Sequence, residues 1–325
     1  MLWETTAQGQ RCGLCPHKCV LRPGSLGACR VRRGGVVGME TATYATSVLH
    51  QDAVERKPFY HYRPGTIAVS LAAPGCSFRC DYCVNFRISQ FGRDGAAVWT
   101  AKEVDPWAVV ERARKLNGCV ALSYTEPSLA IELTHDLARV GRAVGVEVIW
   151  KTNGFLTPAA VESAAQALAA VNIDVKTVNR RAHRRLTGGD VRPVLDAIEG
   201  FRDRDVWVEV STPMIPGLFD AREIAEAIAE IDPAIPWHLL RYTPAYRMNQ
   251  LAPTAPQEIA DAVAVGRAVG LKYVYVERAL GAEGRSTCCP RCRGLLIERG
   301  VWSTRENRLD SGRCPYCGCE IEGRW

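Results

Sequence analysis

The sequence predicts an α/β fold of parallel βα units, arranged as a barrel or a doubly wound sheet. Three observations carry the prediction. From Ile67 onward, apolar strand-like runs alternate with amphipathic helical stretches. Polar residues and a cysteine recur at or just past the C-terminal ends of successive runs. Both ends of the chain are rich in cysteine and lack apolar periodicity.

Length and composition set the frame. A chain of 325 residues suits one barrel-sized domain with small appendages. Hydrophobic content of 47% and charged content of 23% are those of an ordinary globular protein. No stretch has the uninterrupted apolar length that spans a bilayer, and Met1 to Gln10 carry neither a basic leader nor an apolar core. The expected location is therefore the cytoplasm, where 14 cysteines mean metal rather than disulfides. The net charge of +6 comes from 34 arginines against 7 lysines, scattered through helices such as the one containing Glu111-Arg-Ala-Arg. With no basic stripe interleaved with aromatics, nucleic-acid binding gets little support.

Taken in order, the chain divides into a Cys-rich segment (1–50), a βα region (51–284) and a second Cys-rich segment (285–325). The first contains Cys12-Gly-Leu-Cys15-Pro-His-Lys-Cys19 and Cys29 among glycines. Four cysteines in a segment that cannot build a core call for a metal to supply folding energy. Zinc is favoured over an iron–sulfur cluster because closed tetrahedral thiolate sites are its habit, although both remain open and His17 could replace one cysteine. Strands are expected at Ile67–Ala72, Cys119–Ser123, Glu147–Trp150, Val171–Val175, Val206–Val210 and Trp237–Leu240. Helices are expected at Pro106–Leu116, Ser128–Val144, Pro158–Ala169, Val191–Arg202 and Arg222–Ile231. A helix at Pro256–Val269 then leads into an extra strand at Lys272–Val276. In the last segment, Cys289-Pro-Arg-Cys292 and Cys314-Pro-Tyr-Cys317 are paired knuckles that close a zinc-ribbon tetrahedron, with Cys288 and Cys319 outside the register. Cys119, within an apolar strand, reads as a small core residue.

The chemistry centres on Cys76-Ser-Phe-Arg-Cys80-Asp-Tyr-Cys83, directly after the first strand. Three thiolates can hold three corners of a [4Fe–4S] cluster and leave the fourth iron open to a ligand, as a reactive centre requires. The competing reading is a zinc knuckle with a stray cysteine. Glu126, Thr152-Asn153, Asp174, Lys176, Pro216-Gly217 and Arg241 fall at the ends of later strands, the functional face of any parallel barrel. Glu126 either holds a ligand ammonium or serves as a negative charge at the helix start beginning Pro127-Ser128. Tyr82 could pack on a nucleobase, and Asn85 could polarise or cap the loop. Thr152 and Asn153 suit ribose hydroxyls, or mark an Asn-Gly turn. Asp174 and Lys176 share one face, as a structural pair or with Lys176 set against a ligand carboxylate. Arg241 has the same two options. His238, Tyr242 and Tyr246 are core or rim residues near the same mouth.

C-x3-C-x2-C after a strand resembles the signature of the radical S-adenosylmethionine (radical SAM) enzymes, and the resemblance extends along the chain. The stretch Pro58 to about Glu277 is similar to the pyruvate formate-lyase activating enzyme-like branch. The whole chain resembles the AmmeMemoRadiSam system radical SAM enzymes. The matching stretches run from the first cysteine group through Arg56-Lys-Pro-Phe-Tyr-His61, Pro64-Gly-Thr66, Gly75-Cys76, Tyr124-Thr-Glu-Pro127, Asp174-Val-Lys176 and Pro216-Gly217. His238-Leu-Leu-Arg-Tyr-Thr-Pro244, Tyr273-Val-Tyr275 and the terminal knuckles complete them. The resemblance implies a partial (β/α)6 barrel with SAM at its mouth, contacts from Tyr124 and Thr125, and Glu126 on the SAM amino group. It further implies an oxidoreductase that cleaves SAM reductively and abstracts hydrogen from a small-molecule or peptide substrate. Flavodoxin or ferredoxin would be the electron donor. A runner-up is an activase that installs a glycyl radical on a partner protein, and a rival of another class is a zinc- and iron–sulfur-containing nucleic-acid-binding module. Two departures stand out: Tyr124-Thr-Glu-Pro127 replaces the activases' Gly-Gly-Glu-Pro, and Leu239-Leu-Arg-Tyr-Thr243 replaces their Leu-Leu-Pro-Tyr with its following histidine.

Overall fold

The computed structural model describes residues 2–46, 48–90, 93, 103–277 and 280–325. The amino-terminal segment forms two small antiparallel units. One is a sheet of β1 (Trp3–Thr6), β2 (Gly9–Cys12) and β3 (Val20–Leu21), the other a hairpin of β4 (Arg32–Gly34) and β5 (Met39–Thr41). The apolar runs that follow become one sheet of eight strands: β6 (Leu49–Ala53), β7 (Ile67–Leu71), β8 (Cys119–Leu122), β9 (Val148–Thr152), β10 (Ala170–Asp174), β11 (Trp207–Met214), β12 (Trp237–Arg241) and β13 (Val274–Val276). Pairing follows chain order and is parallel from β7 to β13, with β6 added antiparallel at the edge. The edge strands β6 and β13 do not pair, so the barrel is partial. Helices α1 (Phe86–Ser89), α2 (Pro106–Lys115), α3 (Ile131–Arg142), α4 (Pro158–Ala165), α5 (Arg180–Thr187), α6 (Arg192–Arg202), α7 (Ala221–Ile231) and α8 (Pro256–Val269) occupy the crossovers. The chain ends in a three-stranded antiparallel sheet of β14 (Thr287–Cys288), β15 (Leu295–Arg299) and β16 (Thr304–Asn307).

Local chemistry sets the helix starts. Asp105, Thr157, Asn179 and Asp220 each accept a bond from a backbone N–H of the first turn of α2, α4, α5 and α7. Pro106 and Pro158 sit where a missing N–H costs nothing. Strand alternation then sorts the side chains. Val69, Leu71, Val120, Leu122, Trp150, Val171, Ile173, Val208, Val210, Trp237 and Leu239 join the buried core on the helix side. Their neighbours in sequence, among them Ser70, Lys151, Asn172, Asp174, Glu209, Ser211 and His238, therefore line the barrel interior.

The sequence-based boundaries need four corrections. Pro127–Ala130 is a separate 3-10 turn, so the helix expected from Ser128 starts at Ile131. The helix expected to reach Ala169 ends at Ala165, because Ala170 already enters β10. The strand expected at Val206–Val210 runs on to Met214. Helix α5 lies in an arginine-rich stretch (Arg180-Arg-Ala-His-Arg-Arg) with too few apolar residues to announce it. In the structure Leu186 and His183 supply its buried face.

The lower end of the barrel is filled from below. The buried Glu209 carboxylate accepts from the backbone N–H of Tyr60 and of His61 and from His238 Nε2, at 2.6 to 3.1 Å. Arg299 of β15 donates to the Tyr60 carbonyl, and His61 bridges the Glu322 carbonyl and the Tyr275 hydroxyl, each at 2.6 Å. These bonds fasten the terminal sheet under the barrel and leave the opposite end, at the strand C-termini, as the open mouth.

Candidate active site

The Cys76 loop leaves β7 through Gly75, which has a φ of +93°. A Cβ there would lie 2.8 Å from Val31 Cγ1 and 3.2 Å from the Cys29 carbonyl oxygen, so only glycine fits. The loop is fixed at several points. Phe78 is buried against Phe155 and His183, with ring centroids 5.0 and 5.4 Å apart. Arg79 N–H donates to the Thr187 carbonyl at 2.7 Å, and Arg93 donates to the carbonyls of Phe78 and Cys76, each at 2.9 Å. His17 Nε2 lies 2.9 Å from the Ser77 carbonyl and donates to it, which gives this histidine a role in holding the loop.

Three cysteines on one loop can serve three irons of an iron–sulfur core and leave the fourth open. Among the described residues, the only group with three or more ligand atoms mutually within 4.8 Å is Cys289, Cys292, Cys314 and Cys317. Cys76, Cys80 and Cys83 are not such a group, and thiolates on separate irons of one core need not be. Donors are aimed at two of them: Phe78 N–H and Asn153 Nδ2 lie 3.3 and 3.6 Å from Cys76 Sγ, and the Ser89 hydroxyl lies 3.1 Å from Cys83 Sγ. Such donors favour thiolates and tune a cluster. Burial pushes the Cys80 thiol up to about 12 and the Cys76 thiol well above its usual range. A positively charged metal core would favour the thiolates that burial opposes.

Glu126 sits beside this loop, its own N–H donating to the Gly75 carbonyl at 3.2 Å. Its side chain is 1% exposed. One carboxylate oxygen accepts from Ser128 N–H (3.0 Å) and the Thr152 hydroxyl (2.7 Å), the other from Asn153 N–H (2.8 Å). Among the described residues it forms no ion pair. Burial raises its carboxyl pKa, and the bonds from Asn153, Thr152 and Ser128 oppose that rise. The helix-start contact and a ligand-facing role are thus compatible, because each carboxylate oxygen can accept a further bond. Thr152 and Asn153 brace this arrangement: Asn153 Nδ2 donates to Ser77 Oγ at 3.0 Å, and Asn153 Oδ1 accepts from Phe155 N–H.

Across the mouth, Asp174 carries two cations. Lys176 Nζ is 3.0 Å away and Lys151 is also bonded to it; Lys151 additionally reaches Asn172 Oδ1 at 2.7 Å. Burial would raise the Asp174 carboxyl, but the two ammonium groups hold it down to about 2. Lys176 also lies 5.6 Å from the Tyr82 ring centroid, and Tyr82 packs on the small apolar cluster of Leu186, Ile215 and Tyr242. Lys151 was missed in the sequence. Its signal was a lone lysine inside the apolar run Val148-Ile-Trp-Lys-Thr.

The other expected residues sit further out or turn elsewhere. Tyr124, with a φ of +70°, directs its hydroxyl away to Asp52 (2.7 Å) and Lys57 (2.6 Å) of the β6 edge. Thr125 donates to the Ala73 carbonyl. Asn85 precedes α1 but makes no side-chain capping bond, a correction to the capping role, since the turn closes through its backbone carbonyl. Arg241 is exposed on the rim, with Nε on the Thr254 carbonyl at 2.9 Å. Tyr246 stacks on Phe86 at 4.6 Å, and Arg247 N–H donates to the Asp81 carbonyl at 2.9 Å, so the loop after β12 lies against the cysteine loop.

At the far end, Cys289 and Cys317 sulfurs are 3.6 Å apart, as are those of Cys292 and Cys314. That quartet is the one the spacing predicts, with Cys288 and Cys319 outside it. Cys119 is fully buried in β8. Among the described residues, no helix is long and apolar enough to cross a membrane.

Comparison with known proteins follows the same lines. The family model of the Radical SAM superfamily matches residues 71–230. An uncharacterised protein of Methanocaldococcus jannaschii is 33% identical over 323 residues, covering 96% of this chain and 95% of that relative. The pyruvate formate-lyase 1-activating enzyme of Escherichia coli K12 is 25% identical over 160 residues, 48% of this chain and 64% of that enzyme. Streptococcus suis SuiB bound to its precursor peptide SuiA superposes with a TM-score of 0.50 at 13% identity, over 69% of this chain and 51% of that one, a likeness of fold alone.

Proposed function

Because the chain belongs to the radical SAM superfamily, we propose that it binds a [4Fe–4S] cluster on Cys76, Cys80 and Cys83 with SAM at the barrel mouth. When bound, the cluster supplies the electron that cleaves SAM to methionine and a 5′-deoxyadenosyl radical, which abstracts hydrogen from the substrate. The observation that carries this reading is Glu126, a buried carboxylate beside the cysteine loop with no cationic partner among the described residues. An anion in that setting is compensated by an incoming ammonium. Thr152, Asn153 and Ser128 hold it in place, and Asn153 couples it to Cys76. Lys176, braced by Asp174, is the cation available to the SAM carboxylate, and Tyr82 offers a ring face in the same mouth.

Membership of an enzyme superfamily favours the enzymatic reading over a nucleic-acid-binding module. We place the chain in the AmmeMemoRadiSam system group on its end-to-end agreement with that pattern. The E. coli enzyme's name keeps an activase acting on a partner protein as the second reading. A cytoplasmic setting agrees with 14 cysteines that are all unpaired. The terminal quartet is assigned to zinc, because sulfurs 3.6 Å apart suit one tetrahedral ion bound at about 2.3 Å. Anaerobically reconstituted protein, reduced with dithionite in the presence of SAM, should release methionine and 5′-deoxyadenosine, measured by mass spectrometry. Cys80→Ala should release neither. Cleavage that survives Cys80→Ala refutes the assignment of the loop.

A further inference from the structure

The amino-terminal cysteines present a second site, and its geometry separates the two metals the sequence leaves open. Cys12, Cys15, Cys19 and Cys29 all line one cavity, walled by Leu14, Leu21 and Leu129. A single zinc bound at about 2.3 Å would draw four sulfurs to within about 3.8 Å of one another. In the terminal quartet two sulfur pairs stand 3.6 Å apart and all four sulfurs lie within 4.8 Å of one another. Among the described residues the amino-terminal quartet does not form such a gathered group. Cys19 Sγ and Cys29 Sγ each lie 3.8 Å from the point where a Gly27 Cβ would stand. One molecule thus holds two four-cysteine sites, of which the terminal one is gathered as a single ion requires.

A second observation points into the same cavity. Arg32 lines it and is 3% exposed. One end of its guanidinium is bonded to the Leu129 carbonyl (3.0 Å) and Glu132 (2.6 Å), but its Nε is buried with no acceptor. A thiolate-bound sulfide core supplies both the missing acceptor and the negative charge that the arginine would face.

The site also abuts the Cys76 loop. Arg93 donates to the Ala28 carbonyl at 3.2 Å and to the Cys76 carbonyl at 2.9 Å, which ties the two cysteine loops through one side chain. Gly75 lies against Val31 and the Cys29 carbonyl, and His17, within the amino-terminal motif, holds the Ser77 carbonyl.

We propose that Cys12, Cys15, Cys19 and Cys29 hold an auxiliary [4Fe–4S] cluster that passes one electron at a time to the cluster of the Cys76 loop. Each transfer oxidises the auxiliary cluster by one electron and reduces the loop cluster by one. A low-potential one-electron donor then restores the auxiliary cluster. The relay rests on the function proposed above; the cluster itself does not.

Metal content of the full-length chain tests it. Cys76→Ala/Cys80→Ala/Cys83→Ala removes the loop ligands and leaves the quartet. After anaerobic reconstitution with iron and sulfide, this variant should hold about four irons and four sulfides and give a reduced-cluster EPR signal, against about eight irons in the unaltered chain. A triple variant with no iron overturns the proposal. Cys12→Ser/Cys19→Ser reads the loop alone. If that variant holds no iron, the assignment of the Cys76 loop fails, whatever the triple variant shows. In the dithionite-reduced unaltered chain, the EPR spectrum should be broadened by interaction between two reduced clusters. A plain sum of the two variants' spectra overturns the relay.

Discussion

Replacing Glu126 by Gln should weaken SAM binding and stability together, by amounts the structure sets separately. The carboxylate accepts three bonds, two of them from the backbone N–H groups of Ser128 and Asn153. An amide has one oxygen, so in either orientation its NH2 faces one of those N–H groups. That buried donor loses its acceptor, at a cost of about 1–3 kcal/mol, partly offset because a neutral amide is easier to bury than a carboxylate. The Thr152 hydroxyl can turn from donor to acceptor and contributes little to the loss. For the ligand, a charge-assisted bond to the ammonium becomes a neutral one, a loss of about 1.5–3 kcal/mol and about ten- to a hundred-fold in Kd. Both quantities are read on one cluster-loaded preparation, Kd by equilibrium dialysis and stability by urea unfolding. A SAM analogue lacking the amino group separates the causes, because the substitution should leave its affinity nearly unchanged. If Kd for SAM stays constant while stability falls, or if the analogue loses as much affinity as SAM, then Glu126 is only a structural brace.

Three further outcomes follow from other parts of the molecule. Gly75→Ala places a methyl group 2.8 Å from Val31 Cγ1 at a φ of +93°; the loop must shift, and iron incorporation at Cys76 should fall several-fold in an iron assay, while retention of full iron would show the loop to be pliant. Cys292→Ser/Cys314→Ser should lose one equivalent of zinc by metal analysis and at least about 2 kcal/mol of stability, since Arg299 and Glu322 of the same segment hold Tyr60 and His61 under the barrel; an unchanged metal count would refute the assignment. His61, fully buried, has its pKa depressed by that burial to about 4, so the unfolded chain binds its proton first. Its contribution is intact above about pH 6.5 and is lost as pH falls toward 4, about 3 kcal/mol in all. The difference in unfolding free energy between the parent and His61→Gln should shrink over that interval, and a difference independent of pH would contradict it.

How far the sequence reached depended on whether a residue's role was local. The strands β7 to β12 were legible because parallel strands buried on both faces read as apolar runs, and Cys289, Cys292, Cys314 and Cys317 because their turns have fixed spacing. Edge strand β6, Leu49-His-Gln-Asp-Ala, was not, since three of its five residues are exposed and its pairing with β7 is non-local. The same holds within the site. Glu126 and the cysteine loop announce themselves at strand ends, whereas Lys151 acquires meaning only when β9 and β10 set it beside Asp174 and Asn172. Arg93 and Arg32 look like two of many arginines until the fold buries their contacts with the two cysteine loops.

The charges around the mouth fit a zwitterion better than any neutral ligand. On one side the Glu126 carboxyl has no ion-pair partner among the described residues. On the other, Lys151, Asp174 and Lys176 form a triad with one positive charge in excess. Each charge is costly to leave uncompensated where water is scarce, and Lys151 and Lys176 are bonded to Asp174 and not to Glu126. A ligand carrying an ammonium and a carboxylate on one carbon relieves both at once and gains from each. A neutral ligand of the same size would cover both charges and compensate neither. The excess cation also explains why the two readings of Lys176 need not compete. Asp174 fixes the lysine in place and draws off only part of the triad's charge, and what remains would be available to a ligand carboxylate. On the function proposed above, this charge pattern would suit the amino-acid end of SAM, with the apolar cluster behind Tyr82 left to the rest of the molecule.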